Sequence, residues 1–177
     1  MTARVSDLIR ADHREMRRLF AELTNPLSRP LTAPVVLALL AAHSRAEESE
    51  VYPVIRSETE ATAEVEHSQE EHVEADRIAA RLAVMDMNDE AFPTTLQELV
   101  KAVTHHMEEE EETVLPALDA LPVDRQDALG KAFAAVRAEY LCAGVSTLTR
   151  EELQQQARNE GKSGTSGMSK RQLVSEL

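Results

Sequence analysis

Tryptophan is absent from this chain of 177 residues, and aromatic side chains make up only 3% of it. The core must therefore be built from aliphatic residues, and Ala, Leu, Val, Glu and Arg dominate the composition. A single cysteine, Cys142, excludes an intramolecular disulfide and a cysteine-based metal site; it reads as a small apolar residue on a helix. Glycine occurs five times and never before Gly130, so the first three quarters of the chain reads as helix throughout. No apolar run is long enough for a membrane span: the longest, Val35 to Ala42, falls far short of the ~20 residues a bilayer demands. The N-terminus has no signal-peptide core, and the chain reads as cytoplasmic. Positive charge is also in deficit, with 19 Lys and Arg against 32 Asp and Glu and a net charge of −13. Residues 149–177 are nearly balanced, so the acidity lies in the body that precedes them. Such a body repels nucleic acid and anionic membrane and suits a protein that handles cations.

What is present is helical periodicity. The spacing predicts helices from about Ser6 to Leu23, from a Thr32 cap through Val54, from Glu60 to Met85, from Pro93 to Pro122, and from Asp124 to Ala143. Short connections make the first four an antiparallel up-down four-helix bundle, followed by an extra C-terminal helix. The expected organisation is a metal-binding bundle over residues 1–146 and a flexible helix–loop–helix tail over 147–177. Pro53 and Pro116 lie inside the helical patterns and predict kinks. Those kinks either aim nearby side chains or end the buried part, and the second reading is preferred.

The most informative stretches are HSRAEESEVYP from His43 and HMEEEEETVLP from His106. They align without gaps, pairing His43 with His106, Glu47 with Glu110, Glu48 with Glu111, Val51 with Val114, and Pro53 with Pro116. A histidine and a glutamate four apart stand one turn above the other on one helix face, so the pair can grip one ion. Both pairs fall on the apolar stripe, where an ionised carboxylate is costly unless paired or metal-bound. Within the acidic run Glu108–Glu112 only Glu110 shares that stripe, and the other members face water.

His13 lies on the stripe of the first helix. On the third, His67 and His72 are five apart, about 140° around the axis. His72 shares a face with Val65, Ala75, Ala79 and Leu82, whereas His67 sits among Glu60, Glu64, Glu71 and Glu74. His72 is therefore the expected ligand, with His67 a surface residue and His105 a bystander. The predicted metal set is His13, His43, Glu47, His72, His106 and Glu110. Four imidazoles and two carboxylates suit iron, with manganese or zinc as alternatives. Six ligands do not saturate two ions, which leaves positions for water, O2, NO or peroxide. The ferritin-like Glu-x-x-His pattern occurs only at Glu64–His67, without a second copy.

Asp12-His13-Arg14, His43 with Glu47 and Tyr52-Pro53, Glu71-His72, and His106 with Glu110 and Leu115-Pro116 together resemble the hemerythrin-like HHE cation-binding domain, over roughly residues 5–120. The resemblance implies a four-helix bundle with a non-haem di-iron centre, bridged by Glu47, Glu110 and an oxo or hydroxo group. Oxygen-carrying members have a fifth histidine one turn from the first on the third helix. Ser68 and Asp76 stand at that spacing from His72, which argues against reversible O2 carriage. The set looks more like bacterial HHE proteins linked to iron-centre repair or to NO or peroxide response. Enzymatic turnover at the same site, and a metal-dependent sensor acting through the tail, are the rival readings.

In the tail, Thr149-x-x-Glu152 and Ser169-x-x-Gln172 are capping boxes that specify two short helices. The segment resembles the Rho-termination-factor N-terminal helix–loop–helix, which suggests contact with a protein or with nucleic acid. A salt-dependent mobility shift with single-stranded RNA or DNA tests the second idea, and no binding at low salt removes it.

Overall fold

The computed structural model describes residues 4–145 together with Gln154, 167–169 and 172–173. Among the described residues all regular structure is helical. Helix α1 spans Val5–Glu22, α2 spans Arg29–Ala46, and a widened turn over Glu47–Val51 leads into α3, Tyr52–Glu58. Then follow α4 over Thr62–Val84, α5 over Phe92–Asp119 and α6 over Val123–Val145.

Helix α2 begins a turn earlier than the expected Thr32 cap. Pro30 sits in its first turn, where a missing N–H costs nothing, and Pro34 lies inside the helix. Thr32 is buried and directs its hydroxyl toward Glu22 instead of capping. The expected effect of Pro53 also needs correction. The helix does not stop there, and Ile55 beyond it is fully buried, as is Leu118 beyond Pro116. A proline ring clashes with the carbonyl four residues back, which for Pro53 is that of Ser49. The wide turn just upstream relieves the clash: the Tyr52 N–H reaches the Glu47 carbonyl, one residue farther than in an α-helix.

The apolar stripes meet in two separate clusters. One contains Met16, Leu19, Phe20, Leu39, Leu40, Ile78, Leu82, Leu96, Leu99 and Val103. The other contains Val5, Ile9, Val51, Ile55, Val65, Leu115, Leu118 and Phe133. Helices α1 and α4 run from the second cluster to the first, and α2 and α5 run the opposite way, so the bundle is up-down and antiparallel. Each helix crosses between the clusters at a histidine. The polar layer is thus sealed by hydrocarbon above and below.

Helix α6 packs against α1 and α2. It inserts Phe133, which is fully buried and meets the His43 ring edge-on at 5.9 Å. In the tail, Ser169 and Gln172 exchange the hydrogen bonds of a capping box, the Ser169 N–H donating to Gln172 Oε1 at 2.9 Å. The Thr149–Glu152 box lies outside the described residues. No described helix is long and apolar enough to cross a membrane.

Phe133→Ala should destabilise the fold by about 3–5 kcal/mol, since it opens a cavity beneath α6. Tyr140→Ala on the exposed side of the same helix should stay within ~0.5 kcal/mol. Urea unfolding of the two variants measures the difference.

Candidate metal centre

All six predicted residues meet in the layer between the clusters, and all are buried, Glu47 and Glu110 completely. Donor atoms of His13, His43, Glu47 and Glu110 lie within 4.8 Å of one another, and those of Glu47, His72 and His106 form a second such group. Glu47 belongs to both. Its Oε1 is 3.2 Å from His43 Nε2 and its Oε2 is 3.4 Å from His72 Nε2. Glu110 Oε2 stands 3.3 Å from His13 Nε2 and 4.0 Å from His106 Nε2.

The fit of this layer to metal ions rests on its unpartnered atoms. His13 Nε2, His43 Nε2, both Glu47 oxygens and Glu110 Oε2 are buried without a hydrogen bond. Buried polar groups are otherwise almost always satisfied, and each exception requires a reason. His13 Nε2 is close to Glu110 but lacks hydrogen-bond alignment. His72 and His106 bring their Nε2 atoms to 3.0 Å. Cations of the kind that bind imidazole and carboxylate would satisfy all of these at once.

The opposite edge of every ring is anchored. His43 Nδ1 meets Asp12 at 3.2 Å, His72 Nδ1 meets Glu48 at 3.3 Å, His106 Nδ1 meets Glu71 at 3.0 Å, and His13 Nδ1 meets Glu111 at 2.8 Å. These contacts form a closed cycle around the bundle. The carboxylate on α1 holds the histidine on α2, Glu48 past α2 holds that on α4, α4 holds that on α5, and α5 holds that on α1. An Nδ1–H donated to a carboxylate leaves the Nε2 lone pair aimed into the layer.

None of these four carboxylates was among the predicted site residues. The signal was nonetheless present. Glu48 and Glu111 are the second glutamates of the repeat, and Asp12 and Glu71 directly precede His13 and His72. Arg137 on α6 extends the chain, donating from Nε to Asp12 Oδ2 at 2.7 Å. Tyr52 was also missed as a site group. Its hydroxyl lies 3.3 Å from His72 Nε2 and 3.4 Å from Glu110 Oε1.

The electrostatics follow from burial. Burial and the neighbouring Glu110 push the Glu47 carboxyl well above its ordinary range. Burial would raise Glu110 too, but His13 and the other imidazoles around it hold it below. Two carboxylates this close cannot both ionise cheaply unless positive charge stands between them. Tyr52 is pushed well above 10 by burial and by Glu110 and Glu47, so its hydroxyl keeps its proton. Burial would raise Asp12, yet its bonds to His43 and Arg137 keep it low and charged.

His67 and His105 are exposed and stand outside this layer. A surface groove of about 870 Å³ lies along Phe20, Leu96, Val100 and Thr104 and contains none of the six. Arg17, Gln97, Lys101, His105 and Glu108 also line it, and none of them belongs to the buried layer.

A family model described as the hemerythrin HHE cation binding domain matches residues 4–118. No curated protein and no solved structure matches the chain. The matched span ends before α6, which nevertheless supplies Phe133 and Arg137 to the surroundings of His43.

Burial pulls the His43 pKa down to about 4, more strongly than Asp12 pulls it up. The unfolded chain takes up this proton near 6.5 and the folded chain only near 4. The contribution is therefore fully present above 6.5 and is lost as pH falls through that window. Metal-free protein should lose up to roughly 3 kcal/mol from this group between those values. Chemical denaturation across that pH range should show a flatter dependence for His43→Gln.

Proposed function

The chain belongs to the hemerythrin HHE cation-binding domain family, and from that premise we propose that it holds a carboxylate-bridged pair of iron ions that binds or responds to a small ligand. The ligands in this reading are His13, His43, Glu47, His72, His106 and Glu110, with the two carboxylates shared between the ions. The unpartnered donor set in the buried layer carries the reading. Manganese and zinc accept the same donor types, and the preference for iron rests on the family and on the mixture of imidazole and carboxylate.

When bound, such a centre would supply redox-active ions with coordination positions open to O2, NO or peroxide. The protein's own side chains do the rest. Asp12, Glu48, Glu71 and Glu111 keep each imidazole oriented with its lone pair inward. The hydrocarbon clusters on either side exclude bulk water, which strengthens every charge interaction in the layer. Tyr52 holds a neutral O–H at the layer and can donate it to an anionic or polar ligand there.

The side of the layer near His72 favours a ligand other than reversibly carried O2. Ser68, one turn before His72, is buried and lies against the Tyr52 hydroxyl. Neither position one turn from His72, where the family resemblance puts an oxygen carrier's further histidine, holds an imidazole. Asp76, one turn after His72, faces outward and binds Arg45 at 3.0 Å. We therefore favour NO or peroxide as the ligand.

Iron-loaded protein should contain about two irons per chain by elemental analysis, as the bridged-pair geometry requires. His106→Ala should lower that count and abolish the visible spectral response to NO and peroxide. Less than one iron per chain after loading would overturn the di-iron reading. Tyr52→Phe should keep the iron and weaken ligand binding by about tenfold, the loss of one hydrogen bond. An unchanged affinity would remove Tyr52 from the ligand site.

A further inference from the structure

The spelling His-x3-Glu occurs at two further places, His67 with Glu71 on α4 and His105 with Glu109 on α5. Each pair occupies one helix face by the same i, i+4 logic as the buried pairs. Because α4 and α5 pack side by side, the two outer grips face each other. His67 Nε2 is 3.1 Å from Glu109 Oε2 and 3.8 Å from Glu71 Oε1. His105 Nε2 is 3.3 Å from Glu109 Oε1 and 4.0 Å from Glu71 Oε1. Glu109 thus divides its two oxygens between the two imidazoles. Donor atoms of His67, Glu71 and Glu109 lie within 4.8 Å of one another, the same closeness found in the buried layer.

The surroundings favour a cation over a simple set of ion pairs. Among the described residues, the ion pairs of Glu71 and Glu109 are all with histidines. A lysine or arginine would compete with a metal ion permanently, whereas an imidazole can turn a lone pair toward it. Glu71 is already fixed, since its Oε2 holds His106 Nδ1 at 3.0 Å and its Oε1 is directed outward. Two of the four donors are therefore carboxylates, one of them pre-positioned by the buried layer. The histidines are 57% and 62% exposed, so an ion reaches them directly from solvent.

We propose that His67, Glu71, His105 and Glu109 form a second, solvent-facing site for one divalent transition-metal ion, joined to the buried centre through Glu71. Two imidazoles and two carboxylates suit zinc or a similar borderline ion. A cleft of about 260 Å³, lined by Glu64, His67, Ser68, Glu109 and Thr113, opens beside it. Ser68, one wall of this cleft, is also the residue that lies against Tyr52. The outer site does not depend on which metal fills the buried layer.

Equilibrium dialysis of the iron-loaded protein against Zn(II), with both metals counted per chain, tests the proposal. One zinc should bind with iron content unchanged. The double variant His67→Ala/His105→Ala should lose that zinc while keeping its iron and its helical circular dichroism. Zinc that binds equally to the double variant, zinc that enters only by displacing iron, or no bound zinc would each overturn the site. His43→Gln provides the separate control. It should lower the iron count and leave the zinc difference between the parent and the double variant intact, so failure at the buried centre is read independently.

Discussion

The constraint on which this structure depends is the burial of two glutamates and four histidines in one layer of a hydrophobic bundle. Glu47 and Glu110 are completely inaccessible to water, and neither has a lysine or arginine among the ion-pair partners the described residues give it. Uncompensated, such a layer would cost far more than the hydrocarbon around it could offset. It is tolerable only where positive charge enters it. Without metal, His13 and Glu110 offset part of the cost by favouring each other's charged form, His13 being shifted upward and Glu110 downward. Divalent ions would supply the remainder and satisfy the unpartnered donors in the same step.

Around that layer the protein builds a cycle of carboxylates, each on one helix and each gripping the histidine of the next. Orientation of the imidazoles is therefore a property of the assembled bundle, and no single helix possesses it. The cycle also explains why the repeat retains both of its glutamates. Glu47 and Glu110 point inward, whereas Glu48 and Glu111 cross to the neighbouring helices. Helix α6 lies beyond the matched span, yet it reaches the cycle through Arg137 and Asp12 and packs Phe133 on His43. The extra helix is thus part of the support of the site.

The two halves are not equivalent. Tyr52 and Leu115 occupy the same place in the repeat, but only the first half contains the wide turn before its proline. A hydroxyl faces the layer from one half and hydrocarbon from the other. A near-symmetric donor set thereby acquires one polar side.

Much of this was legible in the chain. Scarce aromatics, late glycines and 3.6-residue periodicity indicated a helical bundle, and the gapless repeat with its stripe positions picked out the six converging residues, including His72 in preference to His67. These features are local: i, i+4 spacing and facial hydrophobicity need only one helix to be read. The prolines were misjudged as ending the buried part, because a local rule cannot foresee that Ile55 and Leu118 beyond them stay packed or that a widened turn relieves the clash at Pro53. The carboxylate cycle, the contact of Arg137 with Asp12, the approach of Tyr52 and the facing of His67 and His105 across α4 and α5 depend on which helices are neighbours and in what register. By itself the sequence determined which face of each helix is polar and which side chains it carries there. Tertiary packing alone decided what those side chains meet, because contacts between residues up to 125 positions apart follow from the docking of whole helices.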